Sequence, residues 1–371
     1  MRLKMLRVLP AALAVSVSAS VLADSQVASD VAVLRLPTLT SQQSGTLNRL
    51  QAVSPVNSRV VWASGVGGTY VVTTDGGATW RAGVVAGAEQ LQFRDVQGVS
   101  ARVAYLLSAG VGPASRIYKT EDGGASWSQQ FQSLDPDAFY DCFAFWTARG
   151  GIAMSDAVNG RFPVIQTTDG TTWTDIGARL PAAQLGEAAF AASGTCVATQ
   201  GRSRAWIGTG GAARARILAT TDGGHTWAAY DTPIVQGTPS SGVFSVDFRD
   251  PLHGILGAGE LAAPTAFADT VARSSDGGKT WQLTNRPPVP GAIYGLSYVR
   301  ERSAEGDADG EASATRAVVV TGPRGAAWSP DEGDTWVSLT GLANYWAVAF
   351  ASPHAGWLVG TQGRIVKISF E

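Results

Sequence analysis

The sequence repeats one short segment along almost its whole length, and that repeat limits what the chain can fold into. The fullest copy is Thr220-Thr221-Asp222-Gly223-Gly224-His225-Thr226-Trp227; others run Thr73 to Trp80, Thr120 to Trp127, Thr167 to Trp173, Ser274 to Trp281 and Ser329 to Trp336. The aspartates are Asp75, Asp122, Asp169, Asp222, Asp276 and Asp331, and the closing tryptophans are Trp80, Trp127, Trp173, Trp227, Trp281 and Trp336. Successive tryptophans are 47, 46, 54, 54 and 55 residues apart, a period that marks an array of small supersecondary units. Each residue type has a local use. The carboxylate accepts hydrogen bonds from backbone N–H groups just downstream and closes a tight turn. The second glycine suits a backbone with positive φ. The tryptophan buries a large face beside the turn while its N–H seeks an acceptor. Six copies of one aspartate make a structural role, not a catalytic one, the expectation. Two copies depart from the pattern. The Asp169 segment is one residue short, which predicts a tighter or distorted turn, and Glu332 stands in place of the first glycine after Asp331.

The pattern Ser/Thr-x-Asp-x-Gly-x-Thr/Ser-Trp resembles the Asp-box, or bacterial neuraminidase repeat, found in β-propellers. A period near 50 residues fits four short strands per blade with turns between. The last unit, from Asn344 to Phe370, has three strands and no box, so an open blade would leave an unpaired edge. The expectation is an all-β, seven-bladed propeller, residues 47–371, whose last blade is closed by an N-terminal strand. Val31 to Leu36 has the length and composition to supply it, with Thr38 to Thr46 as a linker. Six blades with a separate C-terminal hairpin is the alternative.

Ahead of the array, Arg2, Lys4 and Arg7 precede an apolar and small-residue run, and Val21-Leu22-Ala23 forms a cleavage site. The reading is a signal peptide at 1–23, a segment at 24–46, and an exported chain, periplasmic or extracellular, in a bacterium. No later segment has the apolar length of a transmembrane helix. Loss of three cations takes the formal charge from −2 to −5, which argues against nucleic acid as a partner. Export allows a disulfide between Cys142 and Cys196, though sequence alone leaves the pairing open. His225, His253 and His354 are too scattered for a metal site, and His253 and His354 read as turn residues.

Alternation in Phe244 to Phe248, Tyr294 to Tyr298 and Trp346 to Phe350 marks innermost strands. It places Phe244, Tyr294 and Trp346 with the apolar set between sheets, and Asp247 and Ser297 toward the axis. The charged stretch from Arg300 to Arg316 reads as a loop, and the apolar insertion from Gly259 to Thr270 as a cover over one face.

The candidate binding residues are arginines near the hairpins between second and third strands: Arg116, Arg161, Arg214, Arg216, Arg324 and Arg364. Gathered on one end they would clamp carboxylates or phosphates, or stand as hydrated charges with no common target. Two family resemblances follow. Arg35-Leu36-Pro37 resembles the Arg-Ile-Pro signature of sialidases, which implies an arginine triad, a tyrosine–glutamate nucleophile pair and an acidic proton donor; Leu34 stands where an aromatic is expected, and the repeats offer no Tyr/Glu pair. Ala349 to Ile365 resembles the repeat unit of photosystem II stability and assembly factors and their bacterial relatives. That second resemblance implies a non-catalytic scaffold binding another protein or a membrane-protein complex, with no cofactor, no metal and no catalytic residue assigned. Units three, four and six depart most from its pattern.

Overall fold

The computed structural model describes residues 36–301 and 313–370. They form seven four-stranded antiparallel sheets, each pairing its strands in the order first, second, third, fourth. The blades span 50–84, 93–132, 140–175, 197–231, 241–283, 295–338 and, for the last, 345–369 with a strand from the N-terminal side. First strands of neighbouring blades pack against one another all the way round, from blade 1 to blade 7 and back to blade 1, so they surround the axis. This is the seven-bladed ring with N-terminal closure that the repeats predict.

Hydrophobic burial lies between the blades. Seven apolar clusters each draw from two adjacent sheets; Leu50, Val71, Trp357 and Ile365 join blades 1 and 7, and Tyr105, Ile117, Phe143 and Ile165 join blades 2 and 3. No blade has a core of its own, so each sheet depends on its neighbours for burial.

The closing strand is Thr38–Gln43, not Val31 to Leu36. It pairs antiparallel with Arg364–Ser369, from Thr38 opposite Ser369 to Gln43 opposite Arg364. Residues 31–35 lie outside the described residues, and Leu36 is exposed coil. An outermost strand has little core to face, so apolar residues are not what selects it; TLTSQQ is almost entirely exposed. Its register is fixed by Gln42. The amide Oε1 accepts Trp80 Nε1 (3.1 Å) and Trp357 Nε1 (3.2 Å), while Nε2 donates to Gly76 O (3.3 Å). One side chain thus ties blade 7 to the aspartate turn of blade 1.

That turn is built as its residues dictate. In blade 1 the Asp75 carboxylate accepts the Thr79 N–H (2.9 Å) and hydroxyl (2.6 Å) and the Thr73 hydroxyl (2.8 Å). Gly76 and Gly77 both have positive φ. Blades 2, 4, 5 and 6 repeat the aspartate's bonds. In the shorter turn, Asp169 Oδ1 takes the N–H groups of both Thr171 and Thr172, and the Trp173 indole N–H is left without a partner.

The turn of one blade is held by side chains of the blade before it. Tyr70 donates to Gly124 O (2.6 Å), Tyr105 to Ala148 O (3.2 Å) beside the blade 3 turn, Gln166 to Gly223 O (2.8 Å) and Trp206 to Gly277 O (2.8 Å). Blade 6 does this with Glu332, which keeps a positive φ of 57° in the glycine's place. Its carboxylate accepts Arg249 Nε (2.6 Å) and the Tyr298 hydroxyl (3.0 Å). Arg249 comes from the blade before, and Asn285, which follows that blade's last strand, adds a backbone bond, its N–H donating to Gly333 O (3.0 Å).

The long insertions also take form. Arg300 and Glu301 pair with Ala314 and Ser313, so strand invades both ends of the expected loop; residues 302–312 lie outside the described residues. His253 caps its own turn through Asp250, as expected of a turn residue.

Two outcomes follow. Gln42→Ala leaves two indole donors unpaired and should destabilise the protein by about 2 kcal/mol in urea unfolding; an unchanged midpoint would refute the latch. The turn bonds lower the carboxyls of Asp75, Asp122 and Asp169 to about 2. Their stabilisation is present above pH ~4 and is lost as pH falls toward 2, so unfolding monitored by near-UV circular dichroism should show an acid limb in that window.

Candidate functional site

Five of the seven first strands carry a β-bulge near their starts. The register slips between Leu50 and Ala52, Phe93 and Asp95, Tyr140 and Cys142, Val243 and Ser245, and Tyr345 and Ala347. The residues inside the slips are Gln51, Arg94, Asp141, Phe244 and Trp346. A bulge adds one residue and re-aims a side chain. All five line one cavity of about 420 Å³. Blade 6 adds Tyr294, just ahead of its first strand, and blade 4 adds Phe190. Every blade therefore contributes at least one lining residue.

This corrects the expectation from alternation. Val246, Phe248, Leu296, Tyr298, Val348 and Phe350 do pack in the inter-blade clusters, but Phe244, Tyr294 and Trp346 line the axial cavity instead. Asp247 and Ser297 face the axis as expected, lining a second cavity of about 700 Å³ with Ser54, Gln97 and Thr195. There Asp247 accepts the Tyr298 N–H of the next blade (2.9 Å) and pairs with Arg300.

The two cavities lie at opposite ends of the axis, because one is lined by the starts of first strands and the other by their far ends. Between them runs the segment from Phe190 to Thr195, ahead of the short first strand Val197–Gln200. It meets blade 2, where Arg94 donates to Ala191 O (3.2 Å), and blade 6, where Ser193 donates to Tyr294 O (2.6 Å). Contact with blades two places away on either side puts it across the axis. The cavity of the bulged residues is thus a cup with a floor. Cys142 and Cys196 form a disulfide with Cα atoms 5.9 Å apart, fixing the end of the floor segment to blade 3.

The cup has two unlike halves. Phe190 stacks on Phe244 (4.2 Å between centroids), Phe244 lies parallel to Tyr294 (5.8 Å), and Tyr294 meets Trp346 edge-on (5.7 Å). The Arg49 guanidinium then covers Trp346 at 5.2 Å. Blades 4 to 7 make an aromatic wall. Blades 1 to 3 supply Arg49, Gln51, Arg94, Asp141 and Asp156. Two of their buried atoms have no hydrogen-bond partner in the protein: Arg49 Nε and Gln51 Oε1.

Burial dominates the electrostatics. It pushes the Asp141 carboxyl well up, aided by the adjacent Asp156 charge, and raises Asp156 to about 6 against the Ala189 N–H that it accepts. Burial is the largest cause at both carboxyls. Burial and the nearby Arg49 charge lower Arg94, which stays cationic.

The six arginines expected to bind occupy hairpins or strand starts at the cup's end of the ring, since second-to-third-strand hairpins lie opposite the aspartate turns in an antiparallel meander. They are not equivalent. Arg216 pairs with the buried Glu187 (Nε–Oε1 2.8 Å), and Arg161 pairs with Asp175. Arg116 is held by Pro113 O (2.8 Å) and the Tyr118 hydroxyl (3.2 Å), and Arg364 by Gln362 (3.2 Å). Arg214 and Arg324 are exposed. Arg116, Arg214, Arg324 and Arg364 have no carboxylate partner among the described residues. The apolar insertion reaches the same end, where Leu261 lines the cup and Phe267 is exposed. Arg94 escapes sequence reasoning because nothing in its local sequence announces a bulge, and Arg49 because it lies just ahead of its strand.

A tyrosine–glutamate pair of the kind sialidases use does exist, Tyr298 with Glu332. Tyr298 is wholly buried, however, and burial together with the Glu332 charge raises its pKa. It is built to hold a blade, not to attack a substrate. Arg35 lies outside the described residues.

Among solved structures, YCF48 bound to D1 peptide superposes with TM-score 0.61 and 16% identity, covering 91% of this chain and 100% of that one. YCF48 from Cyanidioschyzon merolae gives 0.59 and 15%, covering 89% and 98%. The chain shares their fold. The GH74 enzyme from Niastella koreensis superposes at 0.42 with 12% identity, over 86% of this chain and 59% of that one. No protein-family model and no curated protein matches the sequence.

The acidic pair yields a test. A carboxyl raised from 3.8 to about 6 on folding favours the folded state below pH ~4 and loses that contribution as pH rises through 6. Asp156→Asn keeps an acceptor for the Ala189 N–H, so it should flatten the fall in stability between pH 4 and 6 and gain on the order of 1–2 kcal/mol at pH 7. Urea titrations across that range check it; identical slopes would refute it.

Proposed function

We propose that the chain is an exported binding scaffold that holds another protein, or a membrane-protein complex, on the cup-bearing end of its propeller. The observation that carries this reading is the cup itself, half aromatic and half charged, with buried polar atoms left unpaired. Exposed apolar residues at the same end, Leu47, Val111, Leu134, Leu185 and Phe267, extend the surface outward. Aromatic and arginine side chains with scattered apolar contacts are what protein interfaces favour. The likeness to YCF48, whose solved complex contains a D1 peptide, supports the same reading, as do the Asp-box pattern and the repeat unit of the assembly-factor family. The basic and apolar N-terminus supports export, and the Cys142–Cys196 disulfide accords with an oxidising compartment.

The arginines without carboxylate partners are the rim contacts assigned to the partner. Arg161 and Arg216 serve the fold, since breaking Arg216 from Glu187 would strand a buried charge. The test is crosslinking and affinity capture from cells, comparing wild type with an Arg116/Arg214/Arg324/Arg364→Glu variant. One defined partner should be recovered with wild type and depleted about tenfold or more with a variant of unchanged melting temperature. Equal capture by both forms would place the partner elsewhere, and no capture by either would sink the scaffold reading.

A further inference from the structure

The cup is more specific than a general docking surface. We infer that it recognises an aromatic ring carrying a carboxylate and an adjoining N–H donor, the chemistry of an N-acylated aromatic amino acid or of an aromatic residue at a chain's C-terminus. This rests on the cup being the centre of the binding face proposed above.

Three observations converge on that ligand. The wall of Phe190, Phe244, Tyr294 and Trp346 runs across four consecutive blades and offers ring faces and edges to a planar group. Arg49 sits where this wall meets the polar half, over Trp346, with its buried Nε unpaired. Arg94 adds a second guanidinium close enough to be felt by the first. A carboxylate at that junction would take the free Arg49 donor and relieve the repulsion between two cations. The remaining unpaired atom, Gln51 Oε1, belongs to a residue only 2% exposed. It accepts, so it calls for a donor, and an amide N–H beside the carboxylate supplies one.

Size and shape agree. A volume of about 420 Å³ has room for an N-acylated aromatic amino acid, while the floor at Phe190 to Gly194 stops a chain from passing through. A chain would therefore enter end-first. The charges agree as well: two guanidinia line the cup beside two carboxyls that burial pushes toward their neutral forms. A neutral aromatic would forgo the arginines, and an aromatic amine would oppose them.

The probes are N-acetyl-L-phenylalanine, its carboxamide, and pentaglycyl-phenylalanine with a free carboxylate, titrated into the full chain by calorimetry. The acid should bind with Kd on the order of 0.1–1 mM and its carboxamide at least about tenfold more weakly. Arg49→Gln and Trp346→Leu should each weaken the acid by about tenfold or more, while Lys279→Gln, at the opposite end, leaves it unchanged. Circular dichroism and melting temperature confirm that each variant is folded. Tighter binding of the hexapeptide than of the acetyl acid assigns the site to chain termini; equal binding assigns it to free acylated amino acids. The inference falls if acid and carboxamide bind alike, or if folded wild type takes up neither at about 10 mM. A partner captured through the rim arginines without acid binding would leave the scaffold standing and remove only this inference. Acid binding without any captured partner would do the reverse.

Discussion

The ring depends on a contact in which four of the six aspartate turns offer a glycine carbonyl to the blade before them. A carboxylate folds the turn around its own N–H and hydroxyl groups, which turns the glycine carbonyls outward. Tyr70, Gln166, Trp206 and Gln42 then donate to those carbonyls from the neighbouring sheet. The motif is therefore only partly local. Its aspartate satisfies its own blade, and its backbone offers acceptors to another. With apolar cores confined to the spaces between sheets, this polar clasp at the perimeter sets the angle at which successive blades pack.

Much of this was legible in the residues. The turns and blade count follow from local chemistry repeated six times, and the need for a closing strand follows from the missing box in the last unit. The position of that strand was not legible, because the perimeter asks for hydrogen-bonding side chains and short polar strands, and Thr38–Gln43 reads as a linker. Val31 to Leu36 draws attention for the very hydrophobicity that an outer edge does not need. Glu332 shows the converse: an apparent defect in the motif proves to be an ionic clasp for Arg249 and Tyr298.

The cup was the least legible part. Its residues sit at one register position in five blades, yet their types differ: Gln51, Arg94, Asp141, Phe244 and Trp346. Simple alternation assigns the aromatics among them to the core, and a single inserted residue reverses that assignment. The bulge thereby separates two duties within one strand. Beyond it, side chains fill the inter-blade core; at it, they are released to the axis and free to vary from blade to blade.

The closure by Thr38–Gln43 has a consequence for how the molecule comes into being. Thr38–Gln43 must wait for Arg364–Ser369 before it has its partner, a separation of most of the chain. Contacts so distant in sequence form slowly. A nascent chain can assemble a blade or two as it emerges, but the ring stays open until Arg364–Ser369 is free to pair. Closure of the ring is therefore a late event, set by the arrival of Arg364–Ser369.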